Sequence, residues 1–212
     1  DGVFSMDGDV APLAGLAAAC RAHDAWLFVD DAHGFGVLGP TGRGSVEAAG
    51  LTADDVPILM ATLGKAPGTF GAFVAGSSEL IEVLLQQART YMFTTALPPA
   101  VAAATRAALR VMQDEPWRRT RVLEHVAYFR KEVAGFGLAL LESATPIQPV
   151  IIGGNAEAVA ASRRLLERGL LVPAIRTPTV PRNTARLRIT LSAAHADDDV
   201  TRLIDALIEA AP

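Results

Sequence analysis

The sequence predicts an α/β protein, with a mainly parallel sheet followed by a smaller C-terminal α/β unit. Three observations lead there. Strand-like and helix-like segments alternate along the chain. The early strands are short, continuous apolar runs, the pattern of strands buried on both faces. Two of these runs end in polar, glycine-containing segments, Asp30-Asp31-Ala32-His33-Gly34 and Gly64-Lys65, at the strand ends where open α/β sheets gather ligands.

Each element has a local reason. Asp9 suits a helix cap, Pro12 suits the first turn, and an apolar stripe carries the helix to about Arg21. Cys20 shares that stripe with Leu13, Leu16 and Ala17, which marks it as a small core residue rather than a reactive thiol. Trp26-Leu27-Phe28-Val29 is the first buried strand, and a loop with Gly36, Gly39, Gly42 and Gly44 follows it. A second strand runs from about Ile58 to Leu63, and a third covers 72–75. A helix occupies about 79–89. Pro98-Pro99 opens another over about 100–112, which Asp114-Glu115-Pro116 breaks. The next helix sets Val122, Val126, Phe129 and Val133 on one face. Strands at 147–152, 170–174 and 186–191 complete the smaller unit. Asn155 suits the cap of its middle helix and Gly169 the stop. Asp197-Asp198-Asp199 seeds the last helix; no further ligand cluster accompanies it to suggest a metal. The expected domains are 1–109 and 110–212.

Composition narrows the function. Half of the 212 residues are hydrophobic, and the net charge is −4 with no basic block, so neither nucleic acid nor a membrane surface is an expected partner. No apolar run is long enough to span a bilayer, and nothing resembles a signal peptide. One cysteine allows no internal disulfide, and a reducing cytoplasm is the simple reading. The opening Asp1-Gly2-Val3-Phe4-Ser5 reads as the end of a strand, so a further N-terminal portion is expected upstream.

Lysine is scarce: two, Lys65 and Lys131, against seventeen arginines. Lys131 falls on the polar side of an amphipathic helix. Lys65 follows a buried strand and sits among Gly64, Gly68 and Gly71. A lysine there, partly desolvated, would act as an amine nucleophile. Spacing alone favours a solvent-exposed loop lysine, since Gly-Lys pairs are common in loops. Asp30 and His33 shift that balance, because Asp30 brings a carboxylate to the same sheet edge. Pyridoxal phosphate needs an amine for its aldehyde and an acid for its pyridine nitrogen. A metal reading of Asp30, Asp31 and His33 lacks a second ligand group. Further on, Arg186, Arg188 and Thr190 alternate with Leu187, Ile189 and Leu191. Two arginines on one strand face could grip a carboxylate, or form a solvated face.

Taken together these motifs resemble the α-oxoamine synthases, pyridoxal-phosphate-dependent acyltransferases of the aspartate-aminotransferase fold type. The resemblance covers essentially the whole chain. It runs through Phe4-Ser5-Met6-Asp7-Gly8-Asp9, Val29-Asp30-Asp31-Ala32-His33-Gly34, Thr62-Leu63-Gly64-Lys65, Phe93-Thr94-Thr95-Ala96-Leu97-Pro98-Pro99 and the strand of Arg188. The segments 30–39, 147–150, 174–181 and 184–188 resemble the biotin-pathway branch of that family. Thr177 stands where a second proline is usual, and Ala66-Pro67 after the lysine also departs from the pattern.

The resemblance implies residues 1–109 as the C-terminal part of a cofactor-binding large domain, incomplete without an upstream aromatic ring and phosphate-binding turn. It implies Lys65 as the Schiff-base lysine and proton carrier, Asp30 on the pyridinium nitrogen, and His33 on the ring's phenolic oxygen. It implies Ser5 in the cofactor pocket, Thr62 near the phosphate, and Thr94 or Thr95 at the phosphate of a neighbouring subunit in a homodimer. Thr179 would lie on the acyl-donor side, and Arg188 would bind an amino-acid carboxylate. The implied reaction joins L-alanine to a pimeloyl thioester with loss of carbon dioxide. A relative using glycine or another thioester is the near alternative, and a non-catalytic piece of the same fold the distant one.

Overall fold

The computed structural model describes residues 1–210. They form two compact units. One comprises Asp1–Val3 and Val10–Pro116; the other comprises Phe4–Asp9 and the chain from Trp117 onward. The division falls after Pro116, a few residues beyond the boundary expected near 110. A single helix runs through 110, and it stops only where Glu115-Pro116 removes the next backbone donor. Residues 211–212, the end of the second expected domain, lie outside the described residues.

The first unit opens with α1 (Leu13–Ala22), which buries Leu13 and Ala17. Leu16 and Cys20 sit at the edge of that stripe: Leu16 is exposed and Cys20 only half-buried, not a core residue. Strand β1 (Phe28–Asp30) leads through the glycine-rich loop to α2 (Ser45–Ala48), β2 (Ile58–Thr62) and β3 (Ala72–Ala75). Helices α3 (Ser78–Gln87), α4 (Arg89–Met92) and α5 (Pro99–Asp114) follow. Ser77 caps α3 by accepting the Leu80 N–H. The sheet has the order β1-β2-β3, with β1 and β2 parallel and β2 and β3 antiparallel. Ala11, Leu13, Val29, Val46 and Val56 form the core beneath it.

The second unit holds α6 (Trp117–Val133), a short 3-10 turn, β4 (Ala139–Leu140), β5 (Ile147–Gly153), α7 (Asn155–Glu167), β6 (Ala174–Ile175), β7 (Ala185–Thr190) and α8 (Asp197–Ala210). Its sheet, in the order β4-β5-β7-β6, is antiparallel at every pairing. The α/β class stands, but among the described residues only β1 and β2 pair in parallel. The expected face of α6 is the buried one: Val122, Val126, Phe129 and Val133 pack with Leu187, Ile189 and Leu207. Gly169, at φ +78°, follows the last turn of α7 in the left-handed conformation that ends helices. Among the described residues no helix is long and apolar enough to cross a membrane.

Candidate active site

In the first unit the parallel pair β1–β2 brings two chemically distinct strand ends side by side. Asp30, the last residue of β1, is in register with Met60, and the ladder continues one step further as the Asp31 N–H donates to Met60 O at 2.8 Å. Asp30 is half-buried, and its carboxylate Oδ1 accepts the Ala32 N–H at 2.9 Å. This local bond holds the carboxylate at the turn. The chain then winds tightly, with Gly34 and Phe35 both donating to Asp31 O. His33 is half-buried within this turn.

Two residues past Met60, β2 ends at Thr62 and the chain loops back to β3 through 63–71. Thr62 Oγ1 accepts from Gly64 N at 3.2 Å and donates to Gly71 O at 3.1 Å, so its hydroxyl closes the base of this loop. Thr69 donates to Leu63 O through both its N–H and its hydroxyl, and Thr105 of α5 donates to the Thr69 hydroxyl at 3.0 Å. Lys65 stands at the loop's tip, where Gly68 N donates to its carbonyl. Its side chain is exposed, which corrects the expected desolvation: no element of this unit covers the tip.

Two contacts join the His33 turn to the lysine loop and the strand that follows it. Phe35 meets Phe73 of β3 edge-on, with ring centroids 5.2 Å apart. Gly36 has φ +84°, and a Cβ there would lie 2.7 Å from the Ala66 Cβ, next to Lys65. Only glycine allows that approach. The sequence places no weight on Gly36 beyond its membership of a glycine-rich loop. Thr94 and Thr95 lie in the exposed segment after α4, where the Thr94 hydroxyl donates to Thr90 O. Nothing described brings either near the lysine loop.

The second unit carries the other expected site residues. Arg186 and Arg188 share one face of β7 but have different surroundings. Arg186 is 4% exposed and spends its guanidinium on the Asp7 carboxylate, Met6 O and Thr184 O. It is neither a solvated residue nor a free carboxylate grip. Arg188 is half-buried; its Nε donates to Ser5 O at 2.6 Å and its Nη1 to Thr190 Oγ1 at 3.1 Å. Burial draws its pKa below the ordinary value, though a guanidinium stays charged. These two bonds do not involve Nη2. Ser5 and Arg188 are thus brought together through a backbone carbonyl. Thr179 lies exposed in the turn after β6, the strand that pairs directly with β7.

The segment holding Ser5 is itself anchored. Ser143 and Thr145 hydroxyls both donate to Gly8 O, at 2.8 and 3.1 Å, and Gln148, fully buried, ties the 143–145 turn through two bonds from its amide. Sequence reading found the Phe4–Asp9 motif but not this clasp, whose partners lie 135 and 137 residues away.

The chain matches the aminotransferase class I and II family over residues 1–207. A curated "8-amino-7-oxononanoate synthase" of Thioalkalivibrio sulfidiphilus is 62% identical over 207 residues, 98% of this chain and 53% of that protein. Its counterpart in Methylococcus capsulatus is 60% identical over 212 residues, 100% of this chain and 55% of that protein. Among solved structures, Sphingomonas wittichii serine palmitoyltransferase superposes with a TM-score of 0.94 at 34% identity, over 99% of this chain and 53% of that one. An 8-amino-7-oxononanoate synthase from Francisella tularensis gives 0.87 at 30% identity, over 98% and 60%. The chain spans about half the length of the curated relatives it matches.

Proposed function

Because this chain belongs to the aminotransferase class I and II family, we propose that the protein of which it forms part is a pyridoxal-phosphate-dependent 8-amino-7-oxononanoate synthase. The reaction joins L-alanine to a pimeloyl thioester, carried by coenzyme A or a carrier protein, and releases carbon dioxide and the thiol. The product serves biotin biosynthesis, in the cytoplasm. One observation carries the reading: an amine, Lys65, and an acid, Asp30, extend from neighbouring parallel strands at the same sheet edge. Relatives named for this activity are about 60% identical across the whole chain.

The residues present fit the cofactor. Lys65 is an exposed primary amine, open to an aldehyde. Asp30 supplies an anchored carboxylate for the ring nitrogen. The glycine approach at Gly36 keeps the His33 turn against the lysine loop. When bound, pyridoxal phosphate supplies an electron sink for negative charge at the substrate α-carbon.

The chain's own groups do the rest. Lys65 would hold the cofactor through its amine, and that amine, when free, would take a proton from the substrate α-carbon and later return one. Asp30 keeps the proton on the ring nitrogen. His33 would meet the ring oxygen and help to polarise the acyl carbonyl. Arg188, with Nη2 open, would bind the amino-acid carboxylate, and Ser5 would serve the cofactor. Thr62 would serve the phosphate, and Thr94 or Thr95 the phosphate of the neighbouring subunit in a homodimer. Thr179 lies on the acyl side.

The serine palmitoyltransferase reading is favoured by the higher TM-score of that structure. The synthase reading is supported by the 62% identity to the Thioalkalivibrio sulfidiphilus synthase, against 34% to that structure. The test uses the full-length protein. Borohydride reduction with pyridoxal phosphate is expected to modify Lys65 and spare Lys131, and Lys65→Ala to abolish turnover while the fold survives. Alanine is expected to outpace serine and glycine as amino-acid substrate. Near-normal activity of Lys65→Ala would sink the reading, and a preference for serine would move it to the palmitoyltransferase branch.

A further inference from the structure

Asp31 is a buried carboxyl that the proposed chemistry leaves idle. The two-residue period of a strand turns it away from Asp30 and into the unit's interior, where it is 0% exposed. Its Oδ2 accepts the Ser45 N–H at 2.7 Å, which ties the start of α2 to the end of β1. Its Oδ1 and the Ser45 hydroxyl are both buried without a hydrogen-bond partner among the described residues. Three glycines close over the group. A Cβ on Gly2 or Gly34 would fall 2.6 or 2.2 Å from Oδ1, and one on Gly44 would fall 1.8 Å from Oδ2. Orphaned buried polar atoms destabilise a fold, so a carboxyl enclosed this way calls for an explanation.

We propose that Asp31 is a positioning residue for Asp30 and His33: its carboxyl, held within the three glycines, fixes both ends of the loop 31–45 and so sets the two side chains that face the cofactor. This deepens the function proposed above and rests on it. Asp31 holds the near end through its carbonyl, which accepts from Gly34 and Phe35, and the far end through its side chain. Between them Gly36 N donates to Gly42 O and Gly44 N to Leu38 O, so the loop is closed on itself. Glu47 braces its outer side by accepting from Thr41 and Arg43. Asp30 and His33 lie one and two residues from Asp31, so slack at Asp31 passes to both. Asparagine fits the same space. It keeps an acceptor for the Ser45 N–H, and its amide can donate to the Ser45 hydroxyl.

The experiment uses full-length protein loaded with pyridoxal phosphate. Three quantities are read for each variant: the cofactor dissociation constant, the pH midpoint of the absorbance of the Lys65-bound cofactor, and the melting temperature without cofactor. Asp31→Ala is expected to weaken cofactor binding by about tenfold and to move the absorbance midpoint, while Asp31→Asn restores affinity to within about threefold of native and returns the midpoint. Should Asp31→Ala fail to fold, Asp31→Ser, which also falls short of Ser45, takes its place. A change confined to melting temperature, with affinity and midpoint as in the native protein, overturns the proposal. So does an Asp31→Asn protein as impaired as Asp31→Ala. Native protein that leaves Lys65 unmodified sinks the function reading and this inference together; native protein modified at Lys65, with Asp31→Ala indistinguishable from it, sinks this inference alone.

Discussion

At the scale of single residues, neighbours in sequence part company once the fold is known. Asp30 and Asp31 are adjacent, yet one faces the candidate site and the other the interior. Burial raises the Asp31 pKa, against the opposing hydrogen bond from the Ser45 backbone N–H. The folded chain therefore holds this proton at pH values where the unfolded chain has lost it, and stability falls as the pH rises from the ordinary carboxylate value through the raised one. Asp31→Asn removes that slope. Its melting temperature should gain on the native protein's as the pH is raised from about 4 to about 7. A gap that stays constant over that range would mean the carboxyl titrates alike in both states. Arg186 and Arg188 diverge in the same way. Arg186→Ala strands the Met6 carbonyl and the half-exposed Asp7 carboxylate, and should cost about 2 kcal/mol in chemical denaturation, a buried-pair loss discounted for Asp7's contact with water. Arg188→Ala should spare stability and instead raise KM for the amino acid. The alternation of β7 was plain in the sequence. Asp7 was not, because it lies 179 residues from its partner.

At the scale of elements, local chemistry announced most of what formed. The helix expected over about 100–112 spans Pro99–Asp114, with proline in its first turn. Asp197 to Asp199 do open α8. What periodicity could not supply was strand direction. A parallel link takes about a dozen residues or more, whereas residues 63–71 leave β2 and β3 no choice but to run antiparallel. Counting that link, rather than reading its apolar runs, would have found the pairing. Strand β4 escaped notice because two residues, Ala139-Leu140, carry no period at all. The approach of the glycine-rich loop to the lysine loop is also beyond a linear pattern, and it yields a prediction. Gly36→Ala adds a Cβ at a positive φ, 2.7 Å from Ala66. It should lower borohydride-trapped cofactor at Lys65 severalfold while any background at Lys131 is unchanged, as peptide mass would show. Equal labelling would mean that the two loops move independently.

At the scale of the whole molecule, the first unit leaves much apolar surface in water. Trp26 is 68% exposed, Phe93 73%, and Tyr91, Met92 and Leu97 stand open beside it. No residue of α3, α4 or α5 is buried. Patches of this extent mark surfaces that associate. The 212-residue chain expressed alone should bind a hydrophobic dye and self-associate, whereas the full-length protein should do neither; light scattering beside dye fluorescence would check it. Similar behaviour of both would mean this surface stays open in the longer protein.

The Phe4–Asp9 segment also has a bearing on synthesis. It leaves the ribosome among the first residues of this stretch, yet it belongs to the second unit, and its anchors at Ser143, Thr145 and Arg186 emerge far later. At about 5–20 residues per second, the 179 positions from Asp7 to Arg186 take roughly 10 to 40 s to translate. Until the last of these anchors is made, the nascent chain holds a segment whose docking site is incomplete.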